Sequence, residues 1–272
     1  MAGQDPKSVM RRVGTIAAAI AIVVTVLASP ALTQQQSGPV LAPVPKACEA
    51  PGAQVIADSP LPNVAIALKD RKKINILAIG ATSASLRGPV SGGYFAVVER
   101  YLEAAFKGLD VQVVHRGVSG ELAADAAERI KTEAGLANAD LVLWQLGTSD
   151  ALAQVPVADF FVAVTDTVTW LKDHKIDVIL VGLRYTRSMA QDLHYQAIRT
   201  AIKEIAKKEH VLRISRYEAE EVLEGLRREQ GVPMSEAEIT DASYVCMAEY
   251  LARAIAAGLF AKEPKSPLPK DK

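Results

Sequence analysis

The sequence predicts a single α/β domain in which helices cover both faces of a parallel β-sheet. Two observations favour this fold class. Short apolar runs rich in β-branched residues alternate with longer segments of helical periodicity between residues 63 and 261, and this alternation is typical of a three-layer, doubly wound sheet. Half of the 272 residues are hydrophobic, so the chain can bury a core of the size that such a domain needs.

Five strands are predicted in chain order, at residues 74–79, 111–115, 141–146, 178–181 and 211–214. Six helices are predicted between and after them, at residues 94–106, 122–133, 159–172, 189–208, 217–229 and 242–259. In the fourth helix, Ala197, Ala201 and Ile205 recur near the 3.6-residue helical period and mark an apolar face. We therefore expect about five parallel strands with a helical layer on each side.

The first 33 residues have the three-part pattern of a secretory signal. Basic residues up to Arg12 precede an apolar run at residues 13–27, and small residues with a proline follow it. This pattern predicts cleavage after Ala31 or Thr33 and export to the periplasm or the cell exterior. The alternative is an uncleaved N-terminal membrane anchor, although the run is shorter than the ~20 residues that span a bilayer.

The segments that flank the predicted domain have a different composition. Residues 34–62 collect prolines and are expected to form a linker that becomes ordered near Cys48, and the charged, proline-containing tail at residues 262–272 is expected to be disordered. The predicted domain spans residues 63–261. Lys plus Arg equals Asp plus Glu at 31 each, so a small neutral ligand is favoured over nucleic acid.

Cys48 and Cys246 are the two cysteines of the chain. In an exported protein a pair of thiols is free to oxidise, so one disulfide is predicted between the segment before the domain and the last helix. In the chain-entropy model a loop of this length contributes on the order of 4 kcal/mol. The alternative is two unpaired buried thiols. No Cys or His spacing indicates a metal site, and no cofactor is predicted.

Open parallel sheets place functional groups at the carboxyl ends of their strands, so the loops after the first four strands are the candidates. The first loop, residues 80–85, reads GATSAS; the second, residues 115–121, reads HRGVSGE; the third, residues 144–150, reads WQLGTSD. A further block before the last helix, residues 238–248, reads EITDASYVCMA.

In order and spacing these blocks resemble those of the SGNH (GDSL-type) hydrolases. In that family Gly-Asp-Ser follows the first strand, Gly-x-x-Gly the second and Gly-x-Asn-Asp the third, and Asp-x-x-His precedes the last helix. The resemblance covers residues 46–260 and is closest to an exported bacterial subgroup whose final block reads His-Met-x-Asp-x-Ser-Tyr-x-Cys-x-Ala. It implies a flavodoxin-like three-layer fold.

The resemblance also implies catalytic positions, and most of them carry a different residue here. The family's nucleophile, base and orienting acid correspond to Thr82, Glu238 and Ser235. Its two oxyanion donors correspond to Gly120, which keeps its identity, and Ser149. The extra methyl of threonine stiffens χ1 and crowds a carbonyl carbon, and a carboxylate is a weaker base than imidazole. The resemblance therefore implies impaired hydrolysis.

Other side chains near the same loops offer alternatives. His115, at the end of the second strand, is either a relocated base or a polar residue that fills the loop. Ser83 and Ser85 replace Thr82 as nucleophile candidates if the loop alignment shifts. Arg184 and Tyr185 follow the fourth strand and suit a sugar or carboxylate ligand, or else are surface and packing residues.

Together these features predict an exported SGNH-like protein that binds a small ester or glycan-like ligand, or a partner in the cell envelope, with little or no hydrolysis. The rival hypothesis is an active esterase or O-acyl hydrolase or transferase. Its nucleophile would be Thr82 or Ser83, with His115 or Glu238 as an unconventional base. A purely structural envelope protein is the third hypothesis.

Overall fold

The computed structural model describes residues 43–51, 56–57, 59–80, 93–231 and 236–261. Contacts divide the chain into Met1–Gln36 and Ser37–Lys272, and every described residue belongs to the second unit. The predicted signal peptide, the first part of the linker and the tail lie outside the described residues. Within the part that is described, no helix is both long enough and apolar enough to cross a membrane.

Within the described residues six strands form one sheet, and five of them are the strands that the sequence predicts. The strands are β1 (Ile56–Ala57), β2 (Lys73–Gly80), β3 (Asp110–Gly117), β4 (Leu141–Gln145), β5 (Asp177–Val181) and β6 (Leu212–Ile214). Their order is β1-β6-β5-β4-β2-β3. Strands β2 to β6 pair in parallel, and β1 pairs with β6 in antiparallel orientation. The parallel strands have the flavodoxin-like order, which confirms the predicted fold class.

The helices lie on both faces of this sheet. They are α1 (Pro62–Arg71), α2 (Gly93–Ala105), α3 (Ala123–Leu136), α4 (Thr148–Leu152), α5 (Val157–Asp173), α6 (Leu193–Glu209), α7 (Arg216–Glu229) and α8 (Glu236–Phe260), with a short 3-10 helix at Lys46–Cys48. The core on one face is shared with α2 and α8, and the core on the other face with α3, α5 and α6.

Strand β2 shows why the sheet carries a core on each face. Consecutive side chains of a strand point to opposite faces. Ile74 and Ile76 belong to the core of α2 and α8, whereas Leu77 and Ile79 belong to the core of α3, α5 and α6. All four are buried. A parallel sheet that is covered on both faces therefore reads as a nearly continuous apolar run.

Several boundaries differ from the prediction. The fourth predicted helix, α6, begins at Leu193 and not at residue 189, because the Asp192 carboxylate accepts a hydrogen bond from the Tyr195 amide at 2.7 Å and caps the helix there. The last helix begins six residues earlier than predicted, at Glu236. Helix α1 was not predicted, although Pro62 at its first position is a known start signal.

The segment predicted as a linker is joined to the domain at its carboxyl-terminal part. Ile56 pairs with Ile214 at the sheet edge. Cys48 and Cys246 form a disulfide with a Cα–Cα distance of 5.1 Å across 198 residues of sequence, as predicted. The Tyr250 hydroxyl donates a hydrogen bond to the Cys48 carbonyl, so the Lys46–Cys48 turn is held on α8.

Candidate functional site

The carboxyl ends of β2, β3 and β4 meet at one edge of the sheet. Strand β2 lies between β3 and β4. The connection from β2 to β3 therefore runs to one side of β2, and the connection from β3 to β4 crosses to its other side. Gly80 is paired with Gly117, and the Val118 amide donates to the Gly80 carbonyl at 3.1 Å. Such a reversal of strand order opens a crevice in which doubly wound proteins bind ligands.

A small cleft occupies this crevice. It has a cavity volume of about 40 Å³, which is room for one water molecule or a methyl-sized group. Polar side chains in its lining come from three parts of the chain. Glu121 comes from the loop after β3 and Gln145 from the end of β4, and α4 contributes Thr148, Ser149 and Asp150. Gly80, Val118 and Trp144 also line it. The cleft is therefore small, and its lining combines polar and apolar side chains.

Helix α4 places the third motif at this cleft. Ser149, in its first turn, lines the cleft with a hydroxyl where the resemblance implies an asparagine amide. The next residue, Asp150, is buried, and its Oδ1 accepts a hydrogen bond from the Ala123 amide at 2.8 Å. Burial raises the pKa of Asp150, while hydrogen bonds from backbone amides oppose that rise. Asp150 thus joins the start of α4 to the start of α3.

His115 lies near the carboxyl end of β3, on the face that α2 covers. Its ring is 5.2 Å from the Phe95 ring, between centroids, and it leans over Gly117, where an added Cβ would lie 2.4 Å from His115 Cε1. Within the described part of the chain, its buried Nε2 has no hydrogen-bond partner. Burial lowers the pKa of His115, and the charges of Arg116 and Arg129 lower it further. The imidazole is therefore neutral near neutral pH.

Arg184 and Tyr185 follow β5 at the same edge but are held by other contacts. The Arg184 carbonyl accepts from the Tyr195 hydroxyl at 2.7 Å. The Tyr185 amide donates to Glu220 Oε2 at 2.7 Å, and its ring meets the Tyr217 ring edge-on at 5.1 Å. Neither residue is among those that line the cleft. Tyr185 has a packing role in this arrangement.

Of the remaining predicted positions, two lie in the described part of the chain. Gly120 lies in the turn before α3 with a φ of +75°, a backbone conformation that favours glycine. Glu238 lies in the first turn of α8. Thr82, Ser83, Ser85 and Ser235 lie outside the described residues.

Glu121 and Gln145 are among the polar side chains of the cleft that were not singled out by the sequence. Glu121 is held by Arg129, whose Nε and Nη2 donate to its two carboxylate oxygens at 2.6 and 2.7 Å. Gln145 ends β4. Both follow the strand-end rule that drew attention to the loops, so their position was the available signal. The described residues contain no group of three or more His, Cys, Asp or Glu side chains that could hold a metal ion.

Comparisons with known proteins agree with this architecture. The model of the non-GDSL lipase-like family matches residues 47–260. The sequence has no match among curated proteins.

The fold is similar to that of several solved structures. TesA is 18% identical with a TM-score of 0.51 over 66% of this chain and 98% of its own. LAE5, an α/β hydrolase enzyme from the metagenome of Lake Arreo in Spain, is 18% identical with a TM-score of 0.55 over 70% and 96% of the two chains. Axe2, an acetylxylan esterase from Geobacillus stearothermophilus, is 20% identical with a TM-score of 0.54 over 71% and 97%. At these identities the likeness shows the fold alone. The family match over residues 47–260, together with this shared fold, confirms the resemblance seen in the sequence.

Proposed function

The chain belongs to the non-GDSL lipase-like family, and on that premise we propose that it is an exported protein that binds a small ester or glycan-like ligand with little or no hydrolysis. The ligand would place one methyl-sized group, such as the methyl of an acetyl ester, in the cleft between β2 and β4. An acetylated sugar is the first ligand to consider, because Axe2, whose fold is similar, is an acetylxylan esterase.

The environment of His115 is the observation that carries this proposal. A histidine that acts as general base becomes positively charged as the reaction proceeds, and in a Ser-His-Asp triad a carboxylate stabilises that charge. Burial opposes a charge on His115, and Arg116 and Arg129 oppose it further. In the described part of the chain no carboxylate forms an ion pair with it. His115 is thus a poor replacement for the base of a triad.

The cleft itself supports ligand binding. The Ser149 hydroxyl and the Gln145 amide supply donors and acceptors suited to a carbonyl or a sugar hydroxyl. The Glu121 carboxylate is held in place by Arg129, so it offers a fixed acceptor. A preorganised polar lining lowers the entropic cost of binding.

The disulfide supports the export part of the proposal. Bonded cysteines persist in oxidising compartments and are rare in the cytosol, and Cys48 is paired with Cys246 here. Mass spectrometry of the chain recovered from a periplasmic or secreted fraction would test export directly. We expect a mature N-terminus after Ala31 or Thr33.

Ligand binding can be tested by thermal shift with short-chain esters and acetylated xylo-oligosaccharides. A ligand that binds the native state raises the melting temperature with concentration. We expect the variant Ser149→Phe to lose this shift, because the new ring fills the cleft. The variant Thr169→Phe, at an exposed position of α5, is the matched control and should keep it.

Two results would overturn the binding proposal. One is the absence of any shift across the whole panel, which would favour a structural protein of the envelope. The other is an equal shift in the protein with Ser149 and in its Ser149→Phe variant, which would place the ligand elsewhere.

One observation favours the rival hypothesis of an active esterase. A Cβ added at Gly117 would lie 2.8 Å from His115 Nε2 and 2.9 Å from the Gly80 carbonyl oxygen, so the imidazole lies beside a residue only two positions before Thr82. A neutral imidazole is the form that accepts a proton. If this hypothesis holds, His115→Gln should lower ester hydrolysis by about 10²-fold or more without changing the melting temperature of the protein.

A further inference from the structure

A second, larger cavity lies at the opposite end of the parallel strands, where the strands begin. It is bounded by the start of α1, the first residues of β5, and the chain where α5 and α6 end. Its volume is about 520 Å³, which is in the range of small-molecule sites. No residue of this cavity belongs to the cleft between β2 and β4.

The walls of this cavity are largely apolar. Leu61, Pro62, Val178 and Val211 contribute aliphatic surface. Ile66, on the first turns of α1, also lines the cavity and is 57% exposed. A cavity of this kind can hold an apolar body of moderate size, and the polar groups that converge on it then decide the class of ligand.

One buried carboxylate faces this cavity. Asp177, the first residue of β5, is 7% exposed. Its Oδ1 accepts from Asn63 Nδ2 at 2.8 Å and its Oδ2 accepts from the Val64 amide at 2.9 Å. Within the described residues it has no ion pair, and a carboxylate that accepts these bonds still has lone pairs free.

The charged groups around Asp177 are engaged with each other or exposed to solvent. Lys172 pairs with Glu209 at 3.5 Å, and Arg71 pairs with Asp140 at 2.5 Å. Lys175 is exposed, so its charge is screened. His210 also lines the cavity. The charge of Asp177 is therefore left without a cation, and burial raises the pKa of its carboxyl to about 6.

We propose that this cavity binds a small organic amine, whose ammonium group pairs with Asp177 and whose apolar body lies against Ile66, Val178 and Val211. A ligand cation stabilises the buried carboxylate, which otherwise has only neutral donors. An uncharged molecule of the same shape gains the apolar contact but leaves the carboxylate uncompensated. Charge complementarity thus selects the amine.

The test compares benzylamine with its uncharged analogue benzyl alcohol in NMR titrations of the purified protein. We expect benzylamine to shift the backbone amides of Val64 and Val178 at about pH 7.5. Its apparent Kd should rise about tenfold at about pH 5, because only the ionised fraction of Asp177 is competent. Benzyl alcohol should bind more weakly than benzylamine at about pH 7.5, and its affinity should not fall at about pH 5.

Three variants make the test decisive. His210→Asn removes the imidazole that lines the cavity and should leave the pH effect unchanged, since asparagine tolerates the φ of +52° at this position. Ile66→Lys adds a cation at an exposed position and should weaken benzylamine binding at least tenfold. Asp177→Asn should abolish the preference for the amine over the alcohol.

Equal affinity for the amine and the alcohol would overturn the proposal, and so would amide shifts confined to the other edge of the sheet. Loss of the pH effect in His210→Asn would do the same. Because the two sites share no residue, none of these results bears on the binding of an ester or glycan-like ligand.

Discussion

Three ionisable side chains, two of them buried and one half-buried, mark the two ends of the parallel strands. His115 and Asp150 lie at the carboxyl edge, and Asp177 lies at the amino edge. In each of them burial is the largest cause of the pKa shift, and it favours the neutral form. Groups of this kind are candidates for function when they also face a cavity. Asp150 and Asp177 line cavities.

Asp177 should make the stability of the protein depend on pH. Burial raises its pKa from the ordinary 3.8 to about 6, so its contribution is fully present below pH 3.8 and is lost as the pH rises through about 6. A shift of about two units corresponds to about 3 kcal/mol. Between about pH 4 and about pH 8, the free energy of unfolding measured in urea should fall by about 2 to 3 kcal/mol more in the protein than in its Asp177→Asn variant. Parallel pH profiles of the two proteins would contradict this.

Gly147 should not tolerate a side chain. Its φ is +92°, and an added Cβ would lie 2.8 Å from Ile202 Cδ1 and 2.9 Å from Leu183 Cδ1. The variant Gly147→Ala should lose about 2 to 3 kcal/mol of unfolding free energy from strain and overpacking. The control is Gly225→Ala, inside α7 with open space around it, which should gain up to about 1 kcal/mol. Equal effects of the two changes would refute the packing described for Gly147.

At the scale of elements, α8 carries one of the positions that the resemblance implies and is joined to the start of the domain. Its first turn carries the Glu238 position, its middle carries Cys246, and its end is joined to the start of α1 by the hydrogen bond from the Leu61 amide to the Gly258 carbonyl. The sequence predicted the apolar part of this helix from its periodicity. Residues 236–241 have little apolar periodicity, so its first turns could not be predicted.

The disulfide should stabilise the domain through α8. Replacement of both cysteines, Cys48→Ala with Cys246→Ala, should cost about 2 to 5 kcal/mol, because the closed loop spans most of the domain. Thermal and urea unfolding of the two proteins measure this loss. Addition of a reductant should lower the stability of the parent protein and leave the double variant unchanged. An undiminished stability of the double variant would show that the bond contributes nothing.

At the scale of the whole molecule, the fold was far easier to predict than the site. The five parallel strands were predicted within about three residues at each end, because strands buried on both faces are continuous apolar runs. Strand β1 has two residues and exists only by pairing with β6, more than 150 positions away, so no local pattern marks it. Gln145 lies at the end of β4, and Glu121 is held by Arg129 of α3. The strand-end rule marks the loops that contain them, but a tertiary contact such as the one to Arg129 leaves no local pattern in the sequence.

The most direct test of the central claim is hydrolysis of p-nitrophenyl acetate by the purified protein, beside its Thr82→Ala and Ser83→Ala variants. We expect turnover on the order of 10⁶-fold below that of an enzyme with an intact triad, with no difference among the three proteins. Efficient turnover that either substitution abolishes would contradict the proposed binding role and establish an esterase with a rebuilt active site.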